Sequence, residues 1–135
     1  MTSSSDRVLI VGAGPVGLCF ALKLAQGGVA STVIEQLSDA NFLDQVPRAG
    51  TNHPATLEMY DEIGLYEKLE PRGIIAPLFH YWDRAGERIA EFDHAVLKDD
   101  TKFPFVLQCE RIKIVEEGLK MAKANPLIEV RMGTT

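Results

Sequence analysis

Arg7-Val-Leu-Ile-Val-Gly-Ala-Gly-Pro-Val-Gly-Leu18 is an apolar, β-branched run that breaks into three glycines spaced G-x-G-x-x-G. It reads as a strand, a tight turn and the start of a helix. A nucleotide pyrophosphate binds where backbone N–H groups converge at the positive end of a helix. Gly12, Ala13, Gly14, Pro15, Val16 and Gly17 form a loop suited to that task. Gly12 permits the turn, Gly14 lets a phosphate approach with no Cβ in the way, and Gly17 lets the helix lie close on the strand. Pro15 suits the first helical turn, where its missing N–H costs nothing.

A second strand lends the motif weight. Val29-Ala-Ser-Thr-Val-Ile-Glu35 ends in an acid 23 residues after Gly12, where a ribose-binding carboxylate belongs. Glu35 would accept hydrogen bonds from the adenosine ribose hydroxyls and would repel a 2′-phosphate, which argues against NADP at this site. The alternative is an ordinary strand-end glutamate beside a glycine-rich turn.

With 135 residues, 46% of them hydrophobic, the chain is long enough for one globular domain with a core. The net charge is −5. Up to Lys68 there are 4 basic against 8 acidic residues, and beyond it 10 against 11, so no basic face for nucleic acid is built up. Cys19 and Cys109 have no ligand spacing and form no disulfide framework; buried thiols in a reducing cytoplasm are the expectation. Val8 to Leu22 carries no charge, yet three glycines and Pro15 interrupt it and it is shorter than the ~20 residues of a membrane span. A soluble chain without a membrane partner and without a metal site is expected.

Along the chain, residues 7–11 are expected to form the central strand of a parallel sheet, buried on both faces. A helix follows from Pro15 to about Gln26, with Leu18, Ala21, Leu22 and Ala25 on one stripe. Residues 36–50 read as a loop in which Arg48 is the only basic residue between Lys23 and Lys68; it either clamps the phosphates or ribose of a cofactor or is a solvated arginine. Pro54 opens a helix carrying Leu57, Tyr60 and Ile63, which Gly64 stops. Residues 74–93 read as a β-hairpin insertion about the turn Asp83-Arg-Ala-Gly86, with His80 structural. A helix is expected from about Glu110 to Ala124, with Ile112, Val115, Leu119 and Ala122 buried, and then a strand over 127–132. Leu127 lies 92 residues after Glu35. So long a crossover favours FAD over NAD as the ligand.

Val11-Gly-Ala-Gly-Pro-Val-Gly-Leu18, Ile34-Glu-Gln36, Pro47-Arg-Ala-Gly50, Thr56-Leu-Glu-Met-Tyr-Asp-Glu-Ile-Gly-Leu65 and Leu107-Gln-Cys-Glu-Arg111 together resemble the N-terminal part of the class A flavoprotein monooxygenases related to p-hydroxybenzoate and phenol hydroxylases. The resemblance covers essentially the whole chain. It implies an α/β fold, a Rossmann-like FAD-binding βαβ that is the incomplete N-terminal half of a doubly wound sheet. It also implies that Glu35 binds the adenosine ribose of FAD, with Gln36 among the cofactor-binding residues, that Arg48 contacts its ribose or pyrophosphate, that Gln108 hydrogen-bonds the cofactor and that Ala49 lies near the flavin. Family members use NAD(P)H and O₂ to hydroxylate an aromatic small-molecule substrate, the cofactor carrying the chemistry while the protein positions and shields it.

The family's later Asp-Gly and Gly-Asp motifs and most of its substrate sheet are absent from these 135 residues. The expectation is therefore a fragment or one piece of a split protein, inactive alone and prone to self-association through an exposed sheet edge. Another Rossmann-type flavoprotein, such as a halogenase or dehydrogenase, and a non-enzymatic nucleotide-binding module are the competing readings.

Overall fold

A computed structural model of the chain describes residues 6–38 and 50–135. The chain divides into two compact units, residues 1–48 with 111–135 and residues 49–110.

The first unit is built on a parallel sheet of β1 (Val8–Val11), β2 (Ser31–Glu35) and β8 (Ile128–Met132), in the order β1-β2-β8. Ile10 lies opposite Val33, and Val33 opposite Val130, so branched side chains stack across the sheet. The sequence pattern puts β1 at the centre, buried on both faces; among the described strands β2 is central and β1 is at the edge. Ile10 is buried, whereas Leu9 is 62% and Val11 79% exposed. Leu9 and Val11, two positions apart, share the sheet face that carries Thr32, Glu129 and Arg131, opposite the face of Ile10, Val33 and Val130. β2 takes the buried place, with Ser31, Thr32 and Val33 all buried. Arg7 secures the start of the sheet, its Nη2 donating to the carbonyls of Ser31 and Leu127 and its Nε to Thr32 Oγ1.

Helix α1 (Pro15–Gln26) buries Leu18, Ala21 and Leu22, as the spacing predicts, while Ala25 is half-buried. The long helix expected near residue 110 is found as α4 (Arg111–Ala124). It buries Ile114, Val115, Gly118, Leu119 and Ala122, a stripe rotated from the expected one, with Ile112 only half-buried. The rotation follows from contact with α1. A Cβ on Gly118 would stand 3.4 Å from Leu18 Cβ, so the small residue sits under the leucine and draws that face inward.

In the second unit, α2 (Pro54–Glu62) and the short α3 (Tyr66–Leu69) supply Leu57 and Leu69, with Leu65 between them, to a core completed by Phe103, Val106 and Leu107. β7 (Val106–Gln108) runs between β3 (Thr51–Asn52) and β4 (Ile74–Ala76), antiparallel to both. Buried Asn52 is satisfied from two sides, its Nδ2 donating to the Leu107 carbonyl at 3.1 Å and its Oδ1 accepting from Tyr60. The hairpin consists of β5 (Leu78–Trp82) and β6 (Arg88–Asp93). It is narrower than residues 74–93, because Ile74–Ala76 pairs with β7 and Pro77, which has no N–H to donate, separates the two runs. His80 is exposed and its Nε2 lies 2.7 Å from Glu91 Oε2 across the hairpin.

Candidate nucleotide site

The turn between β1 and α1 depends on two glycines. Gly12 has φ +100°, a conformation that an L side chain adopts only under strain. A Cβ on Gly17 would lie 2.0 Å from the Gly12 carbonyl oxygen and 3.4 Å from Ile10 Cγ2, so the helix and strand approach as closely as backbone allows. The loop is fixed to β2 by the Gly12 N–H, which donates to the Ile34 carbonyl at 2.7 Å. Helix α1 then starts at Gly14 with Pro15 in its first turn, no side-chain cap and no acidic residue there. Its positive end is left for an anion.

Glu35 comes to the same loop from the end of β2. Its Oε2 accepts from the Ala13 N–H and its Oε1 from the Leu37 N–H, each at 3.0 Å. A carboxylate accepts about four hydrogen bonds in all, so this one is oriented by the backbone and still has capacity for hydroxyl donors. Ala13 itself is fully buried and gives its N–H to Glu35. It positions the carboxylate and is not on the cavity wall, where its place in the motif would put it.

A cavity of about 560 Å³ opens over this arrangement. Gly12, Gly14, Pro15, Val16, Gly17, Glu35 and Gln36 all face it, so the structure gathers seven of the expected residues in one place. Further lining comes from α4, through Arg111, Ile112 and Val115, none of which the sequence pattern assigns to the site. A guanidinium nitrogen of Arg111 stands 3.4 Å from where a Cβ on Gly14 would lie. Gln108 belongs to the other unit, where its Oε1 accepts from Thr51 Oγ1 at 2.9 Å. Arg48 and Ala49 lie outside the described residues.

The donor set fits the adenosine diphosphate part of a dinucleotide. A glycine loop with an open helix end suits phosphate, and a preoriented carboxylate at the end of the second strand suits a ribose diol. A Cβ at Gly14 would lie in contact with the Arg111 guanidinium, on the side of the helix end that faces the cavity. Among the described residues no group of three His, Cys, Asp or Glu side chains could hold a metal ion, and no helix is long and apolar enough to cross a membrane.

Comparison with known proteins places this geometry in context. The family described as FAD binding domain matches residues 6–135. Para-nitrophenol 4-monooxygenase of Pseudomonas sp. (strain WBC-3) is 33% identical over 126 residues, covering 93% of this chain and 30% of its own length. Pentachlorophenol 4-monooxygenase of Sphingobium chlorophenolicum is 31% identical over 104 residues, 77% of this chain and 18% of its own. The crystal structure of p-nitrophenol 4-monooxygenase from Pseudomonas putida DLL-E4 superimposes with a TM-score of 0.86 at 34% identity, over 95% of this chain and 32% of that one. The chain thus spans about a third or less of the length of these relatives.

Proposed function

The chain belongs to the FAD binding domain family, and from that premise we propose that it is the FAD-binding portion of a monooxygenase that hydroxylates a phenolic or other aromatic substrate with NAD(P)H and O₂. The observation that carries the reading is the hydrogen bond from Ala13 N–H to Glu35 Oε2, which aims a ribose-binding carboxylate at the phosphate loop. Gly12, Gly14, Pro15, Val16 and Gly17 would cradle the pyrophosphate, and Glu35 with Gln36 would take the adenosine ribose. Arg48, Ala49 and Gln108 are assigned to the cofactor through the family resemblance. When bound, FAD supplies the redox chemistry. The contribution of these residues is to bind and orient it.

Similarity to two nitro- and chlorophenol monooxygenases supports a phenolic ring as substrate class. Cys19 and Cys109 are not joined in a disulfide, which suits a reducing compartment, and we infer a cytoplasmic protein. The test is a titration of FAD with the chain, read by quenching of flavin fluorescence. Saturable binding is expected, and competition by ADP should displace it. A chain that folds but takes up no FAD and no ADP would overturn the reading.

A further inference from the structure

Arg111 is the first residue of α4, and it stands where a basic side chain is electrostatically misplaced. The first turn of a helix carries partial positive charge and favours acids. Here the turn has Arg111 and Lys113 and no acid at all. The guanidinium also reaches towards a second positive helix end, that of α1 at Gly14, with one nitrogen 3.4 Å from the glycine's absent Cβ. It is exposed, and among the described residues no ion pair or hydrogen bond offsets its charge. Two helix ends and a cation thus border one cavity whose one facing acid among the described residues, Glu35, already accepts two backbone N–H groups.

We propose that Arg111 is a binding residue for the diphosphate of the nucleotide, acting from the start of α4 beside Gly14 of the glycine loop. The inference rests on the FAD-binding reading, and it adds a charged partner that the loop lacks. A guanidinium presents paired N–H donors that match phosphate oxygens, and an anion between Arg111 and Gly14 converts repulsion into attraction. The chemistry recognised is a nucleoside diphosphate, whether free or within FAD.

The experiment titrates the 135-residue chain and its Arg111→Gln and Arg111→Lys variants with FAD, ADP and adenosine, at low and high salt. Arg111→Gln is expected to weaken FAD and ADP about tenfold, the worth of one charge-assisted hydrogen bond. Adenosine should bind as before, and the salt dependence for ADP should become shallower. Arg111→Lys should recover part of the loss, because charge survives while the paired geometry does not. The melting temperature of Arg111→Gln should match or exceed the parent's, since a repulsion at a helix start is removed. An unchanged ratio of ADP to adenosine affinity in Arg111→Gln overturns the assignment while leaving FAD binding by the parent chain intact. A fall in melting temperature with adenosine and ADP weakened alike would make the residue structural and overturn it as well. Failure of the parent to take FAD or ADP overturns the underlying reading itself.

Discussion

Glu35 Oε2 accepts a hydrogen bond from the Ala13 N–H at 3.0 Å, so the end of β2 is tied to the loop that follows β1. The bond serves fold and ligand together. Ala13 is fully buried, and Glu35→Ala would leave its N–H without this acceptor, at a cost of about 1–3 kcal/mol in stability. FAD affinity should fall by a further ~1.5–3 kcal/mol through the lost ribose bonds. Glu35→Gln is no remedy, because one end of the amide would set a donor against a backbone N–H. Urea unfolding and FAD titration of both variants check this; parental values in both measurements would remove Glu35 from the site.

Gly17→Ala puts a methyl 2.0 Å from a carbonyl oxygen of the backbone, which cannot rotate away as a side chain could. We expect a loss of about 3 kcal/mol and loss of FAD binding, since α1 must move off β1 and carry the phosphate loop with it. Gly118→Ala is the control. Its new methyl would meet Leu18 at 3.4 Å, an ordinary contact, and the gain in helix propensity of up to about 1 kcal/mol should leave the protein at least as stable. Melting temperatures falling in the opposite order would contradict the packing described.

Burial, with the Glu70 carboxylate beside it, raises the Tyr66 phenol from 10.0 to about 12. The folded chain then holds its proton at alkalinities where the unfolded chain has released it. Protons bound are fewer in the unfolded state between those values, so stability is full below pH 10 and falls as pH rises through 10 to 12. Tyr66→Phe should flatten this alkaline limb. Thermal melts of both proteins across that range decide the matter, and parallel limbs would count against it.

Desolvation pushes the Cys19 thiol from 9.0 up to about 11. Alkylation proceeds through the thiolate, so iodoacetamide at neutral pH should label Cys19 far more slowly in the folded chain than in urea. Cys109 is buried and should behave alike. Rapid labelling of either thiol in the folded protein, read by mass spectrometry, would show its surroundings to be more open than found.

The outer edge of β1 has no partner among the described strands, and Leu9 and Val11 stand exposed on one face of that strand. An apolar strand with free N–H and C=O groups templates pairing with a second copy. Light scattering of the 135-residue chain should therefore rise with concentration, and Leu9→Lys should suppress the rise. A chain that is monomeric at all concentrations would show the edge to be harmless.

How much of this is legible in the sequence depends on distance along the chain. β1, the glycine turn, α1, β2 and the acid at Glu35 can be read because each is a local pattern with its own period and stop. The sheet of β3, β7 and β4 cannot, since strands of two or three residues carry no periodicity. Nor can the task of Arg111, because only tertiary structure brings it to Gly14. Nor can the support that Ala13 gives, since only the fold shows it fully buried with its N–H on the Glu35 carboxylate.

The central strand of the parallel sheet acquires its second neighbour late. Residues 36–127 intervene between β2 and β8, and Thr32 and Glu129, hydrogen-bonded at 3.1 Å, are 97 positions apart. At translation rates of about 5–20 residues per second the intervening stretch takes roughly 5–20 s to emerge. Throughout that interval β2, eventually the least accessible strand of its sheet, has a side facing no chain of its own. On the ribosome β2 therefore waits on one side until residues 36–127 have been made, and a chaperone that shields nascent Val33 would act after β2 leaves the tunnel and be displaced by Val130.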